Sequence, residues 1–115
     1  MKMLKVSLTG GEAAVMFNLL ESGSNGKGNS WEELDVVIPL KKKITFESKQ
    51  QDAKGRDVFL FKDQEIRMRI SEGRLVETRL KDSTGWSATE GDVAKSLMKK
   101  IKEAPEVDAT PEESK

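Results

Sequence analysis

Seven basic residues, Lys41, Lys42, Lys43, Lys54, Arg56, Arg69 and Arg74, are the side chains whose type and spacing best suit them to chemistry, and that chemistry is electrostatic. Ammonium and guanidinium groups set among aliphatic residues can neutralise successive phosphates of a nucleic-acid backbone. On an ordinary domain surface the same groups would simply be solvated, so the elements that carry them decide between the two. Catalysis has less to work with. The chain holds no cysteine and no histidine, which removes thiolate nucleophiles, Cys-containing zinc sites, the usual general base and the commonest metal ligand; tyrosine is absent too. The remaining carboxylates do not cluster at a spacing that would build a Mg²⁺ site or a hydrolytic pair. The expectation is a protein with no catalytic residues, no metal and no cofactor. GSNGKG at residues 23–28 fails as a phosphate-binding loop: its first glycine is misplaced, Lys27 is followed by Gly28, and a helix precedes it.

A chain of 115 residues suits one modest core, and 36% apolar against 35% charged residues describes a heavily solvated surface. No apolar run approaches the ~20 residues that span a bilayer. The start, MKMLKVSLTGG, alternates like a strand and lacks the apolar stretch of a secretory signal, so a cytoplasmic protein without a membrane partner is expected. Net charge is zero but unevenly spread: residues 41–80 carry eleven basic and seven acidic side chains, whereas residues 104–115 sum to −3. The expected organisation is one α+β domain over residues 1–103, with a flexible loop at 22–30, followed by a disordered acidic tail at 104–115.

The elements follow from periodicity. Leu4, Val6 and Leu8 mark a strand; T-x-x-E at Thr9–Glu12 then caps a helix whose stripe is Ala13, Met16, Phe17 and Leu20. A second capping box at Ser30–Glu33 opens a short helix to about Ile38, ahead of Pro39, although Val36–Ile38 would also suit a strand. Residues 44–49, 57–62, 65–71 and 74–80 alternate as four strands of an antiparallel meander. Ser87–Glu90 starts a C-terminal helix with the stripe Val93, Ala94, Leu97, Met98 and Ile101, which Pro105 stops. Trp31 and Trp86, each at a helix start, are expected to staple the entering chain to the core.

Register determines which way the meander faces. With Gly73 left-handed in a three-residue loop, Met68 lies opposite Val76 and Ile66 opposite Thr78, while Arg67 faces Glu77 and Glu65 faces Arg79. A two-residue loop at Asp63–Gln64 adds Phe59 and Phe61 to the apolar face, which the C-terminal helix should cover. Phe59 and Phe61 could stack on bases, but this register makes them core. The opposite face then holds Val58, Leu60 and Leu75 with Arg69 and Arg74, and a partner should meet it there.

TGWSATEGDVAKSLMKKIK, residues 84–102, resembles the junction in the Whirly-like family of single-stranded-DNA-binding transcriptional coactivators. There a sheet leads through a short G-φ-S-φ turn, φ being apolar, into a long C-terminal helix; Gly85-Trp86-Ser87-Ala88 matches the turn. The resemblance implies a sheet that binds single strands through basic and aromatic side chains, and dimerisation through the helices. The expected function is thus a non-catalytic binder of single-stranded DNA or RNA, acting as a small transcription or replication cofactor and forming a homodimer or higher oligomer. The alternative is a small viral or bacterial module that docks on a host enzyme and regulates it.

Overall fold

In β1, Lys2–Leu8, period-two alternation turns Val6 and Leu8 inward, both nearly inaccessible, as expected. This computed structural model describes residues 2–108. Thr9 ends the strand and caps α1, Gly10–Ser22: its hydroxyl accepts the Glu12 amide (3.2 Å) while the Glu12 carboxylate accepts the Thr9 amide (2.8 Å). Ala13, Met16 and Leu20 of the anticipated stripe are fully buried and Phe17 is half-buried. The following loop is pinned by side-chain amides: Asn25 donates to the Asp82 carbonyl and accepts from the Thr84 amide, and Asn29 donates to the Leu20 carbonyl.

Ser30 and Glu33 form the second expected capping box, and α2 follows as Leu34–Lys43. It does not stop at Ile38. Pro39 lies inside it, and the carbonyl that loses its partner belongs to exposed Asp35, where water can replace the bond. Val37 and Leu40, both buried, hold the second half in place. Then come β2, Phe46–Gln51, β3, Asp57–Phe61, and β4, Gln64–Arg69.

These strands do not form one meander. β4 pairs antiparallel with β1, putting Ile66 opposite Val6 and Met68 opposite Leu4, while β2 and β3 make a separate two-stranded ribbon with Phe46 opposite Phe61. Residues 74–80 are not a strand either. They belong to α3, Ile70–Asp82, and Gly73 is a buried helical residue rather than a left-handed turn. The reason is a helical stripe that alternation concealed: Gly73, Val76 and Leu80 point inward three to four residues apart. The Glu72 carboxylate accepts the Arg69 amide (2.6 Å), covering an orphan donor at the helix start. A Cβ on Gly73 would lie 2.8 Å from Leu4 Cδ1, so glycine here permits α3 to approach β1.

α4, Ala88–Lys102, starts where expected, with the Ser87 hydroxyl accepting the Glu90 amide (3.1 Å). Its Ala94, Leu97 and Ile101 join Val6, Leu8, Ile66, Met68 and Val76 in one core, so the C-terminal helix does cover the Ile66 and Met68 side of the sheet. The tail expected to be disordered from residue 104 begins instead with β5, Glu106–Asp108, which extends the sheet to the order β4-β1-β5. The rest of that expectation, residues 109–115, lies outside the described residues. The α+β class therefore holds: among the described residues there are four α-helices and five strands in two small sheets. No helix among them is long and apolar enough to cross a membrane.

One buried carboxylate ties the first and last helices together. Glu12, 2% exposed, accepts from Lys100 Nζ (2.5 Å) and Ser96 Oγ (2.7 Å) besides the Thr9 amide. Burial opposes its charge, but the hydrogen bonds from Lys100, Thr9 and Ser96 outweigh that and hold the carboxyl below the usual range. A carboxyl with a folded pKa below its unfolded value stabilises the fold above the unfolded value and loses that contribution as pH falls through the folded one. In urea unfolding curves, wild type should therefore lose stability relative to Glu12→Gln as pH drops below about 4.3, the ordinary glutamate value.

Candidate nucleic-acid interface

The β2–β3 ribbon is closed by a turn in which Asp52 accepts from the Lys54 amide, the Arg56 amide and Arg56 Nε at 2.9–3.0 Å. The Arg56 amide foremost, then the Lys54 amide and the Arg56 side chain, keep its carboxyl below the ordinary range despite some desolvation. Gly55 takes the left-handed conformation the turn requires, at φ 77°. At the other end Gln64 acts as a splice to the main sheet, its amide oxygen accepting the Thr45 amide (2.9 Å) and its amide nitrogen donating to the Thr45 carbonyl (2.8 Å).

Alternation gives the ribbon two unlike sides. Phe59 and Phe61 turn toward α1, where Phe17 meets them with ring centroids 5.5 and 5.2 Å away, and Phe46 packs edge-on against Phe59 at 5.0 Å. All four phenylalanines of the chain are thus in one cluster. The cluster is not closed off: Phe46 is 47% exposed, and the other three are half-buried. Two lysines stand over it, Lys41 Nζ 5.1 Å from the Phe17 ring centre and Lys49 Nζ 6.0 Å from that of Phe59. Lys41 is paired with Glu21 and Lys49 with Asp57 at 3.2 Å, and all four side chains are more than a third exposed. Such pairs contribute about 0–1 kcal/mol and can be exchanged for a phosphate. The opposite side of the ribbon presents Val58 and Leu60, 39% and 43% exposed.

The seven sequence-selected cations do not share a surface. Lys41 and exposed Lys42 end α2 beside the phenylalanine cluster. Lys43 is structural: its ammonium donates to the Arg67 carbonyl (2.8 Å) and to the buried Glu72 carboxylate (3.1 Å), occupying the edge of β4. Lys54 and Arg56 sit at the ribbon's turn, with Arg56 bound to Asp52. Arg69 ends β4 on the side of the main sheet that also carries Lys5, Glu65 and Arg67, whereas Arg74 is exposed on α3. The expected mixed face of Val58, Leu60, Leu75, Arg69 and Arg74 therefore does not exist, because β3 and β4 belong to different sheets.

Two further expectations are corrected. Arg79 does not face Glu65 in solvent: it is 3% exposed and donates to the Leu19 carbonyl (2.8 Å) and to Glu33 (3.0 Å). Trp31, at 84% exposure, staples nothing, while Trp86 does lean on the core and donates to the Ser83 carbonyl (3.1 Å). Sequence reasoning also missed Lys49 and set the phenylalanines aside as core. Strict alternation would put Phe46 and Lys49 on opposite sides; the irregularity between Phe46 and Ser48 brings both to the side of Phe59 and Phe61, with Lys49 opposite Phe59.

Among the described residues no three or more carboxylates gather where they would hold a metal ion. Gly85 is left-handed at φ 78° and Ser87 caps α4, and the element before this turn is helix α3 rather than the expected strand. Compared with known proteins, the chain matches no family model, and no curated protein or solved structure is significantly similar to it.

Proposed function

We propose that this chain is a non-catalytic binder of single-stranded nucleic acid, working as a small cofactor of transcription or replication, and that the strand lies across the phenylalanine cluster of the β2–β3 ribbon. The observation that carries this reading is the half-open cluster with lysines over it: Phe46 and Phe59 offer ring surface to unstacked bases, Lys41 and Lys49 stand over the rings of Phe17 and Phe59, and exposed Lys42 follows Lys41 at the end of α2. Stacking accepts every base because every base has a π-face, so the expected preference is for single strands over duplex rather than for a sequence.

Fluorescence anisotropy with an unstructured oligothymidylate tests it. Three neutralised phosphates predict a log–log salt slope of magnitude roughly 2, at ~0.7 per phosphate. Phe46→Ala should weaken binding by about 1–3 kcal/mol, the contribution of one stacked base. No detectable binding at about 50 mM salt, or equal affinity in Phe46→Ala, would overturn the proposal.

Exposed Val58 and Leu60 favour a second reading, a protein-interaction module that regulates another protein through the ribbon's aliphatic side. A partner recovered after nuclease treatment and lost in Leu60→Lys would support it; a partner released by nuclease would return the case to nucleic acid.

A further inference from the structure

A broad concavity lies away from the ribbon, between the C-terminal end of α3 and α4. It is an open groove of about 680 Å³ with Leu80, Trp86, Ala88, Ala94 and Met98 in its lining. A second hollow of about 330 Å³ continues it along α4 and shares Lys95 and Met98 with it. Together they follow α4 from its first turn to its last. The Trp86 indole is held by its bond to the Ser83 carbonyl, so the aromatic wall keeps one orientation.

Charge along the groove is one-sided. Lys81 stands at its α3 end, and Lys95, Lys99 and Lys102 recur at i, i+4 and i+7 along α4, against Asp92 and Glu103. None of the four lysines is in an ion pair among the described residues. An apolar floor with a cationic rim over about four helical turns is complementary to an amphipathic helix that carries leucine-like residues on one face and carboxylates beside them. The floor is aliphatic and thioether apart from Trp86, which offers little to stacked bases and much to an aliphatic helix face.

We infer that the α3–α4 groove docks an acidic amphipathic helix of a partner protein, with Leu80, Trp86 and Met98 taking its apolar face and Lys95, Lys99 and Lys102 its carboxylates. The inference is independent of the nucleic-acid reading, because the ribbon contributes nothing to this surface. It would give one small chain two attachment points, one for a strand and one for a protein.

The chain has two tryptophans, so Trp31→Phe leaves Trp86 as the sole reporter. The probe is a synthetic helical peptide of roughly five turns, with leucines on one face and glutamates elsewhere; a lysine-for-glutamate copy and oligothymidylate serve as comparisons. The glutamate peptide should change Trp86 emission saturably, and the lysine copy should not. The double substitution Lys95→Glu, Lys99→Glu, at exposed positions outside the core, should weaken the glutamate peptide roughly tenfold or more by placing like charges together. The inference is overturned by no saturable change, by equal binding of the lysine peptide, by indifference to the charge reversal, or by oligothymidylate displacing the peptide. Self-association of the protein that blocks the groove, seen as loss of peptide binding at high protein concentration, would also overturn it, by making a second copy the occupant.

Discussion

Arg79→Met should lower the stability of the fold by about 3 kcal/mol, the low end of the range for breaking a buried charge pair. The guanidinium is 4% exposed and bridges three segments, donating from α3 to the Leu19 carbonyl at the end of α1 and to Glu33 before α2. Methionine restores most of the volume, so the loss isolates the polar bridge from any cavity. Glu33 stays partly hydrated at 40% exposure, which limits the penalty it suffers when left alone. The Ser30 amide first, then the Arg79 guanidinium and the Ser30 hydroxyl, bring the Glu33 carboxyl down to about 2. Because that pKa is depressed, the pair's contribution is present above the ordinary glutamate range and fades only as pH falls toward about 2. Thermal unfolding should show Arg79→Met melting about 10–15 °C below wild type. Adding Glu33→Gln should cost little more, since the two substitutions remove the same interaction. An Arg79→Met melting point within about 2 °C of wild type would show that the arginine does not bridge these segments.

Leu97→Ala should be at least as damaging, at about 3–4 kcal/mol, because Leu97 is fully buried and truncation leaves a cavity as well as a lost transfer term. Its neighbour makes the internal control. Met98 lines the groove and is only partly buried, so Met98→Ala should cost well under half as much. Urea unfolding of the two variants tests the rotational setting of α4: a larger loss at Met98 than at Leu97 would mean that the helix presents the other side to the core.

Local signals were readable wherever they acted within a few residues. Thr9, Ser30 and Ser87 each accept an amide three residues on, and the stripes Ala13-Met16-Leu20 and Ala94-Leu97-Ile101 face the core they were expected to face. Parity was readable too: Ile66 and Met68 turn inward while Arg67 and Arg69 do not. What could not be read was partner choice between strands. β4 suits β1 and β3 equally by alternation, and it pairs with β1, 60 residues away in sequence at the Val6–Ile66 pair, where Ile66 and Met68 join the core shared with α3 and α4. The helix α3 was hidden by a coincidence of pattern, since Arg74, Val76 and Thr78 alternate as in a strand while Gly73, Val76 and Leu80 also form a helical stripe. Glycine then tipped the reading toward a turn. In the fold it is a contact point, where the absence of a side chain admits Leu4.

The candidate site depends on the same choice of strand partner. Joining β3 to β4 made the phenylalanines core and gathered Val58, Leu60 and the arginines into one face. Separating the ribbon from the sheet scatters the arginines and leaves Phe46 and its neighbours half open beneath lysines. Several of the selected cations are already engaged within the fold: Arg56 closes a turn, Lys43 holds Glu72, and Lys41 meets Glu21 beside the cluster. Of these only Lys41 sits where exchange for a phosphate would also bring a base onto a ring.

The most direct measurement is a titration of the ¹⁵N-labelled chain with oligothymidylate, followed by amide chemical shifts. The shifted signals should belong to β2, β3 and the end of α2 around Lys41 and Lys42, with α4 unmoved. Shifts centred instead on the Lys5, Arg67 and Arg69 side of the main sheet, or no shifts at all, would contradict binding at the ribbon.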